Sequence, residues 1–265
     1  MKRVTLTALG GAIAFVTSLL FAQVHPFGDA GLYSSPGART TIMEHASVPA
    51  DVRATLIAKC ADCHSERVHA PIYSRLAPVS WLVERDIIRG RDAMNLSRWE
   101  SYGLDRQQVL AAKIVQETKS GKMPLLQYRM IHWGGRVTDA DTVAFSRWAH
   151  ALQNPGDASM TATAVGDPDR GRDLFEKRCL GCHALTQNHE GPRLHGVYGR
   201  SSASIPGFPY SPALSKAHLT WNDSTLEQWL TDPDALVPGN MMDFHVAKPQ
   251  ERRDLIGFLR QEAGR

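Results

Sequence analysis

This sequence has few cysteines, little net charge and no evident set of residues for substrate chemistry. The 265 residues include only four cysteines, and two short motifs contain all of them, so none is left for a disulfide bond. The formal net charge is +3, from 30 Lys and Arg against 27 Asp and Glu. This charge is too small to give the positive electrostatic field that is typical of a nucleic-acid-binding protein. No set of residues suited to substrate chemistry stands out along the chain.

The two motifs that contain the cysteines share the pattern Cys-x-x-Cys-His. They are Cys60-Ala61-Asp62-Cys63-His64 and Cys179-Leu180-Gly181-Cys182-His183. Two thiols on one helical turn form thioether bonds to the vinyl groups of a c-type haem, and the histidine presents its imidazole to the iron. A Cys-x-x-Cys alone is more typical of a zinc half-site or a redox pair, and two of them can form one zinc site. Those alternatives leave both histidines unexplained, so the sequence predicts two covalently attached haems.

Each half of the sequence also offers a methionine as the second axial ligand. A Met thioether is common at this position in electron carriers, where it favours ferrous iron and raises the potential. Met123 lies 59 residues after His64 (123 minus 64), and Met242 lies 59 residues after His183 (242 minus 183). A methionine taken at random is as often a core residue as a ligand, but the equal spacing suggests two copies of one module.

The surroundings of Met123 favour it as a ligand of the first haem. A helical pattern over 105–119 is followed by a glycine turn and then by Met123-Pro124, a common presentation of an axial methionine in small cytochromes. His132 is the main alternative, because histidine can replace methionine and would give a much lower potential. His69 is a weaker alternative. The sequence alone leaves the choice between Met123 and His132 open.

The first residues form a basic and then an apolar segment. Met1-Lys2-Arg3 precedes an apolar run of 21 residues, 4 to 24, which predicts an export signal. Haem attachment in bacterial c-type cytochromes follows export, so a periplasmic location is expected. The run is long enough to span a bilayer, and Leu20-Phe21-Ala22 does not fit an Ala-x-Ala cleavage site. We therefore favour an uncleaved membrane anchor over a signal peptide.

Composition and hydrophobic periodicity divide the rest of the chain. Residues 25–49 are rich in Pro, Gly, Ser and Thr and predict an extended arm or tether, and residues 155–168 predict an interdomain linker. Residues 50–154 and 169–265 each carry amphipathic helical patterns, one of which runs directly into each motif. The sequence thus predicts an all-α fold with two helical haem domains in tandem.

Three helices of the first domain follow from periodicity and capping patterns. Residues 81–88 form a helix that is expected to end at Gly90. Another helix is expected to begin at Thr138, because Thr138 has an acidic residue, Asp141, three positions later. The helix at 105–119 is expected to bury one face, formed by Leu110, Ala111, Ile114, Val115 and Thr118.

Residues spread over the first half form a recognisable pattern together with its Cys-x-x-Cys-His motif. They are Ser65, Tyr73, Pro78-Val79-Ser80-Trp81, Gly90-Arg91, Asn95, Ser97, Trp99, Met123-Pro124, Tyr128 and His132. Together with Cys60, Cys63 and His64 they make most of residues 56–150 resemble a bacterial haem-binding domain family found beside cytochrome c domains. The resemblance implies a haem domain and does not choose the sixth iron ligand.

The second half contains several spaced motifs in a fixed order. They are Gly191-Pro192-Arg193-Leu194-His195-Gly196-Val197-Tyr198-Gly199-Arg200, Gly207-Phe208-Pro209-Tyr210-Ser211, Leu219-Thr220-Trp221 and Pro238-Gly239-Asn240-Met241-Met242-Asp243-Phe244. With them, nearly all of residues 166–263 resemble class I cytochrome c of the mitochondrial type. The resemblance implies that Met242 is the axial methionine and that the Pro192 carbonyl accepts the proton of the His183 ring. It also implies that Arg200, Tyr210 and Trp221 bond or neutralise the haem propionates.

These patterns predict two cytochrome c-like domains that transfer electrons. We expect a dihaem c-type cytochrome that passes single electrons between periplasmic or membrane-bound redox proteins, with the membrane reached through residues 4–24. A dihaem enzyme such as a peroxidase is the alternative from another class, and it requires a displaceable sixth ligand at one haem, which makes Met123 the discriminating residue. A third possibility is the electron-entry subunit of a dehydrogenase or oxidase complex. The sequence does not predict an oligomeric state.

Overall fold

A computed structural model of the protein describes residues 2–32, 42–43, 46, 48–67, 71–153 and 166–264. Within these residues the chain forms twelve α-helices and two short 3-10 helices and no β-strand. An isolated β-bridge joins Ser201 and Thr220. The predicted all-α fold is therefore confirmed. Much of the predicted arm, most of the predicted linker, and His69 lie outside the described residues.

The chain forms two compact units, Met1–Ser101 and Tyr102–Arg265. The described residues of the first unit form four α-helices and the two 3-10 helices. They are α1 (Lys2–Phe21), α2 (Ala50–Lys59), α3 (Ala61–His64), the 3-10 helix Ile72–Arg75, α4 (Val79–Ala93) and the 3-10 helix Leu96–Ser101. Because α2 ends at Lys59 and α3 begins at Ala61, Cys60 lies between these two helices and the rest of the first motif forms α3.

Most of the described apolar side chains of α1, from residue 8 onward, are exposed to solvent. Leu9, Ile13 and Leu20 are among its exposed residues. Its end is held within the first unit by two hydrogen bonds: the Ser18 hydroxyl donates to the Ala77 carbonyl at 2.8 Å, and the Trp81 indole donates to the Phe21 carbonyl at 3.2 Å. Among the described residues, no helix combines the length and the apolar character that crossing a membrane requires.

The expected end of a helix at Gly90 is wrong, because α4 continues to Ala93. Gly90 is instead the point where α4 touches the first motif. A β-carbon built on Gly90 would lie 2.7 Å from the Cys63 carbonyl oxygen, which is closer than real β-carbon contacts. The glycine therefore allows close approach of two segments and does not terminate the helix.

The second unit contains the remaining eight described α-helices. They are α5 (Leu104–Lys119), α6 (Leu126–Ile131), α7 (Asp139–Gln153), α8 (Pro168–Arg178), α9 (Pro212–Lys216), α10 (Asp223–Thr231), α11 (Pro233–Leu236) and α12 (Pro249–Ala263). Predicted end signals are present: Thr138 and Asp141 cap the start of α7 through reciprocal hydrogen bonds, and Gly121 adopts a φ of 69° after α5.

The core of the second unit forms where α8 crosses α12. A β-carbon on Gly171 would lie 2.0 Å from the Asp254 carbonyl oxygen, so only glycine permits this crossing. Phe175 and Phe258 pack beside it with ring centroids 5.2 Å apart. Buried residues of α5, notably Val109 and Ala112, belong to the same core. Residues 102–153 thus pack in one unit with 166–264, whereas the predicted domains divide at 155–168.

Candidate haem sites

The second Cys-x-x-Cys-His motif begins where α8 ends. The Cys179 amide donates to the Phe175 carbonyl at 2.8 Å, and the His183 amide donates to the Cys179 carbonyl at 2.8 Å, so the motif forms one further turn. Cys179, Cys182 and His183 line a cavity of about 530 Å³, within the range of cofactor pockets. Both cysteines and the histidine of the motif therefore lie around one cavity.

The ring of His183 is held by the protein backbone. Its Nδ1 lies 2.8 Å from the Pro192 carbonyl oxygen, the contact that the family resemblance implies, and this leaves Nε2 for a metal. Gly191 directly precedes Pro192, and a β-carbon on it would lie 2.2 Å from the His183 imidazole. The absence of a side chain at Gly191 therefore leaves room for the ring. Burial lowers the pKa of His183, which favours the neutral imidazole that metal binding requires.

Burial also raises the pKa of both thiols of this motif. It raises the pKa of Cys179 to about 12 and that of Cys182 to about 11. A thiol with so high a pKa is protonated at neutral pH and is a poor nucleophile or redox group. Both thiols are therefore protonated at neutral pH, and both line the cavity in which a covalent cofactor would lie.

Met242 lines the same cavity, and two side chains hold its loop. The Met242 amide donates to the Asn240 side-chain oxygen at 2.7 Å, and the Asn240 amide group donates in turn to the Val237 carbonyl at 3.0 Å. The Trp229 indole N–H points at the Met242 sulfur, 3.1 Å away. The sequence interpretation missed Trp229 and did not assign a role to Asn240.

The three residues expected near the haem propionates also line this cavity. Arg200 donates to the carbonyls of His195 and Arg193, each at 3.0 Å, and burial lowers the pKa of its guanidinium although Tyr210 partly opposes this. Trp221 is buried. The structure brings Arg200, Tyr210 and Trp221 together with His183 and Met242 at one cavity. Their contact with propionates stays a prediction.

The first motif repeats the orientation of its histidine with a different partner. The His64 amide donates to the Cys60 carbonyl at 2.9 Å, and His64 Nδ1 lies 3.1 Å from the Met94 carbonyl oxygen. Nε2 is again the nitrogen left for a metal. Burial lowers the pKa of His64 and raises that of Cys63 to about 12. The chemistry of this donor set therefore also fits a covalent haem, and Met94 is a partner that the sequence interpretation missed.

Met123 and His132 both lie in the second unit. The half-buried Met123 follows the Gly121 turn, and its amide donates to the Glu117 carbonyl at 3.0 Å. The ring of His132 stacks on Tyr128 with centroids 4.1 Å apart and an angle of 8° between the planes. The structure thus holds the Met123 backbone and the His132 ring locally, and the choice between the two residues as ligand of the first haem stays a prediction.

Comparison with known proteins divides the chain in two. A family model described as a haem-binding domain matches residues 19–151, and one described as cytochrome c matches residues 168–262.

Several curated cytochromes c are similar to this chain over about a hundred residues. Cytochrome c of Cochliobolus lunatus is 42% identical over 101 residues, which make up 37% of this chain and 94% of that protein. Cytochrome c of Arabidopsis thaliana is 41% identical over 101 residues, 37% of this chain and 90% of that protein. Among solved structures, cytochrome cH from Methylobacterium extorquens is 38% identical, covers 36% of this chain and 99% of that chain, and gives a TM-score of 0.35.

Proposed function

Since the chain belongs to the haem-binding domain family and carries a cytochrome c domain in its second half, we propose that it is a dihaem c-type cytochrome that passes single electrons between redox proteins. The cytochrome c domain implies a haem protein that transfers electrons. The four cysteines fit two covalently attached c-type haems. One observation carries the finer proposal: Cys179, Cys182, His183 and Met242 meet at a single cavity.

The residues around this cavity suit a site that changes little between two oxidation states. When bound, each haem supplies an iron that gains and loses one electron. The Pro192 carbonyl holds the His183 ring, while Asn240 and Trp229 hold Met242. Because each ligand is fixed by a partner that does not itself change charge, both ligands stay in place through the exchange.

For the first haem we propose attachment through Cys60 and Cys63, with His64 and Met123 as axial ligands. Support comes from the Met94 carbonyl, which orients His64 in the way that the Pro192 carbonyl orients the second histidine. The equal spacing of 59 residues between histidine and methionine in the two halves supports Met123. His132 is the competing ligand.

We further propose a periplasmic location, with attachment to the membrane through residues 4–24. The basic start and the apolar run of this segment support export, and covalent haem attachment after export is consistent with it. The partners are then electron donors and acceptors of that compartment or of the membrane. The mass of the mature protein tests the retention of residues 1–24.

The test is the far-red absorption of the oxidised protein, where coordination of methionine to ferric haem gives a weak band. Met242→Ala is expected to remove about half of the band, and Met123→Ala the other half. Met241→Ala is the matched control for the first variant, and Met130→Ala, at an exposed methionine, is the control for the second.

An unchanged band in Met242→Ala would refute the proposed site in the second half. An unchanged band in Met123→Ala would exclude methionine ligation at the first haem, and His132→Ala then tests the bis-histidine alternative. If the first haem proves to lack a firmly bound sixth ligand, reaction with peroxide distinguishes a dihaem peroxidase from a carrier.

A further inference from the structure

The helix α5 lies over the cavity of the second motif although it is outside the stretch that matches cytochrome c. Its residues Val109, Ala112 and Gln116 line the cavity together with Cys182. Val109 and Ala112 are also buried within the core of this unit. The cavity wall is therefore completed by a helix from the other half of the sequence.

The contact between α5 and the motif depends on the absence of a side chain. A β-carbon built on Gly181 would lie 2.3 Å from Cγ1 of Val109. Gly181 is one of the two variable residues of the Cys-x-x-Cys-His motif, so haem attachment does not require glycine there. A larger residue at this position would clash with Val109. The helix thus covers the motif at van der Waals distance.

On the histidine side of the cavity, α5 is fastened through Glu190. Lys113 Nζ lies 2.6 Å from a Glu190 carboxylate oxygen, and the Gln116 side-chain amide donates to the Glu190 carbonyl at 3.1 Å. Glu190 is two residues before Pro192, whose carbonyl holds the His183 ring. The first attachment of α5 is therefore to the segment that orients the proximal ligand.

On the methionine side, α5 is fastened through Asp243. Lys119 Nζ lies 2.9 Å from a carboxylate oxygen of Asp243, whose side chain is fully buried. Ser146 of α7 donates to the same carboxylate at 2.8 Å. Asp243 directly follows Met242, so the second attachment is to the loop of the axial methionine. The helix spans the cavity from one ligand segment to the other.

We propose that α5 is an intramolecular cover of the second haem pocket, which bars redox proteins from direct contact with the Cys179–His183 loop. Electron exchange with the second haem at this face therefore crosses α5 or requires it to move. The inference rests on the proposed function, because it assumes that the pocket holds haem. It adds that the cytochrome c domain presents this face to the chain's own helix in place of an external partner.

Hydrogen exchange of the full-length haem-loaded protein tests the cover without reference to electron transfer. Lys113→Ala with Lys119→Ala removes both ion pairs, and Arg147→Ala with Lys216→Ala, at two exposed positions, is the control with the same change of net charge. We expect amides within 179–192 and 238–246 to exchange roughly three- to tenfold faster in the first pair only. Exchange equal to that of the control pair overturns the proposal, and unchanged exchange in α12 verifies that the variant is folded.

Bimolecular reduction kinetics supply the second test. Both pairs of substitutions are placed in a chain with Cys60→Ala and Cys63→Ala, so that only the second motif attaches haem. Reduced free riboflavin is the small probe and reduced flavodoxin the protein-sized probe. We expect the loosened variant to accelerate reduction by flavodoxin several-fold more than reduction by riboflavin. Equal rates in the loosened and control variants overturn the cover, whereas a chain that attaches no reducible haem refutes the proposed function itself.

Discussion

The indole of Trp229 donates a hydrogen bond to the sulfur of Met242 at 3.1 Å. A donor at this position draws electron density from the thioether, and a sulfur that gives less density to iron favours the ferrous state. Trp229 lies on α10, thirteen residues before Met242, and is buried in the core of the unit. A core tryptophan thus has a direct contact with the expected axial ligand.

Removal of this donor is expected to lower the potential of the second haem. Trp229→Phe keeps an aromatic ring but loses the N–H, so we expect a decrease on the order of tens of millivolts, the equivalent of one modest hydrogen bond. Potentiometric titration measures it. Trp133→Phe, at a residue that is 94% exposed, is the control. A potential that follows the control would show that the hydrogen bond does not tune the site.

The contact between Gly181 and Val109 predicts a strong coupling between two substitutions. Gly181→Ala forces a β-carbon against the valine and is expected to lower the free energy of unfolding by about 1–3 kcal/mol. Val109→Ala removes the obstructing methyl, so Gly181→Ala should cost much less in that background. Denaturant unfolding of the four proteins in this cycle measures the coupling. Strictly additive effects would argue against the packing of α5 on the motif.

Gly90 and Gly257 are both helical glycines, and the same substitution should affect them in opposite directions. Alanine normally stabilises a helix interior by about 1 kcal/mol relative to glycine. At Gly257, on α12, the nearest atom to a new β-carbon is 3.5 Å away, so we expect stabilisation. At Gly90 the Cys63 carbonyl lies 2.7 Å away, so we expect a lower melting temperature and poorer haem attachment. A stabilised Gly90→Ala variant would contradict the close approach of α4 to the motif.

Asp254 predicts a pH-dependent contribution to stability. Burial alone would raise its pKa, but hydrogen bonds from Arg170, from the Asp167 backbone N–H and from Gln250 outweigh burial and lower it. A carboxyl whose pKa is lower in the folded state stabilises the protein above its unfolded pKa of about 3.9 and loses that contribution as the pH falls through the folded value.

The test compares Asp254→Asn with the unchanged protein across pH. We expect the variant to be less stable by about 1–3 kcal/mol at neutral pH, and the difference to shrink as the pH falls below about 4. Urea unfolding at several pH values measures it. Asp169→Asn serves as the control, because the Asp169 side chain is 87% exposed. A difference that is constant from neutral pH to pH 3 would exclude this titration.

Local patterns in the sequence predicted the helices that lead into both motifs, the cap at Thr138 and the turn at Gly121. These features depend on residues a few positions apart, whose side chains and backbone preferences carry the signal. The helix face that holds Leu110 and Val115 was also predicted and is buried. Agreement is therefore best where the determining interactions are local.

The predictions that failed or were never made involve contacts between distant segments. Val109 and Ala112 lie outside the predicted face of α5, because this helix is buried on a second side against a core from the other half of the sequence. The pattern around Gly90 predicts a helix end, but in the structure this glycine lets α4 approach the Cys63 backbone closely. The carbonyl partner of His64 is thirty residues away, and any residue type supplies such a carbonyl.

The histidines of the two motifs are both aligned by main-chain oxygens, those of Met94 and Pro192. A main-chain acceptor survives every change of side chain at its own position, so the alignment of each ring is insulated from ordinary point mutation. It is vulnerable to a different kind of change, an insertion or deletion that displaces the peptide unit. Selection at these two positions is therefore expected to act on segment length more than on residue identity.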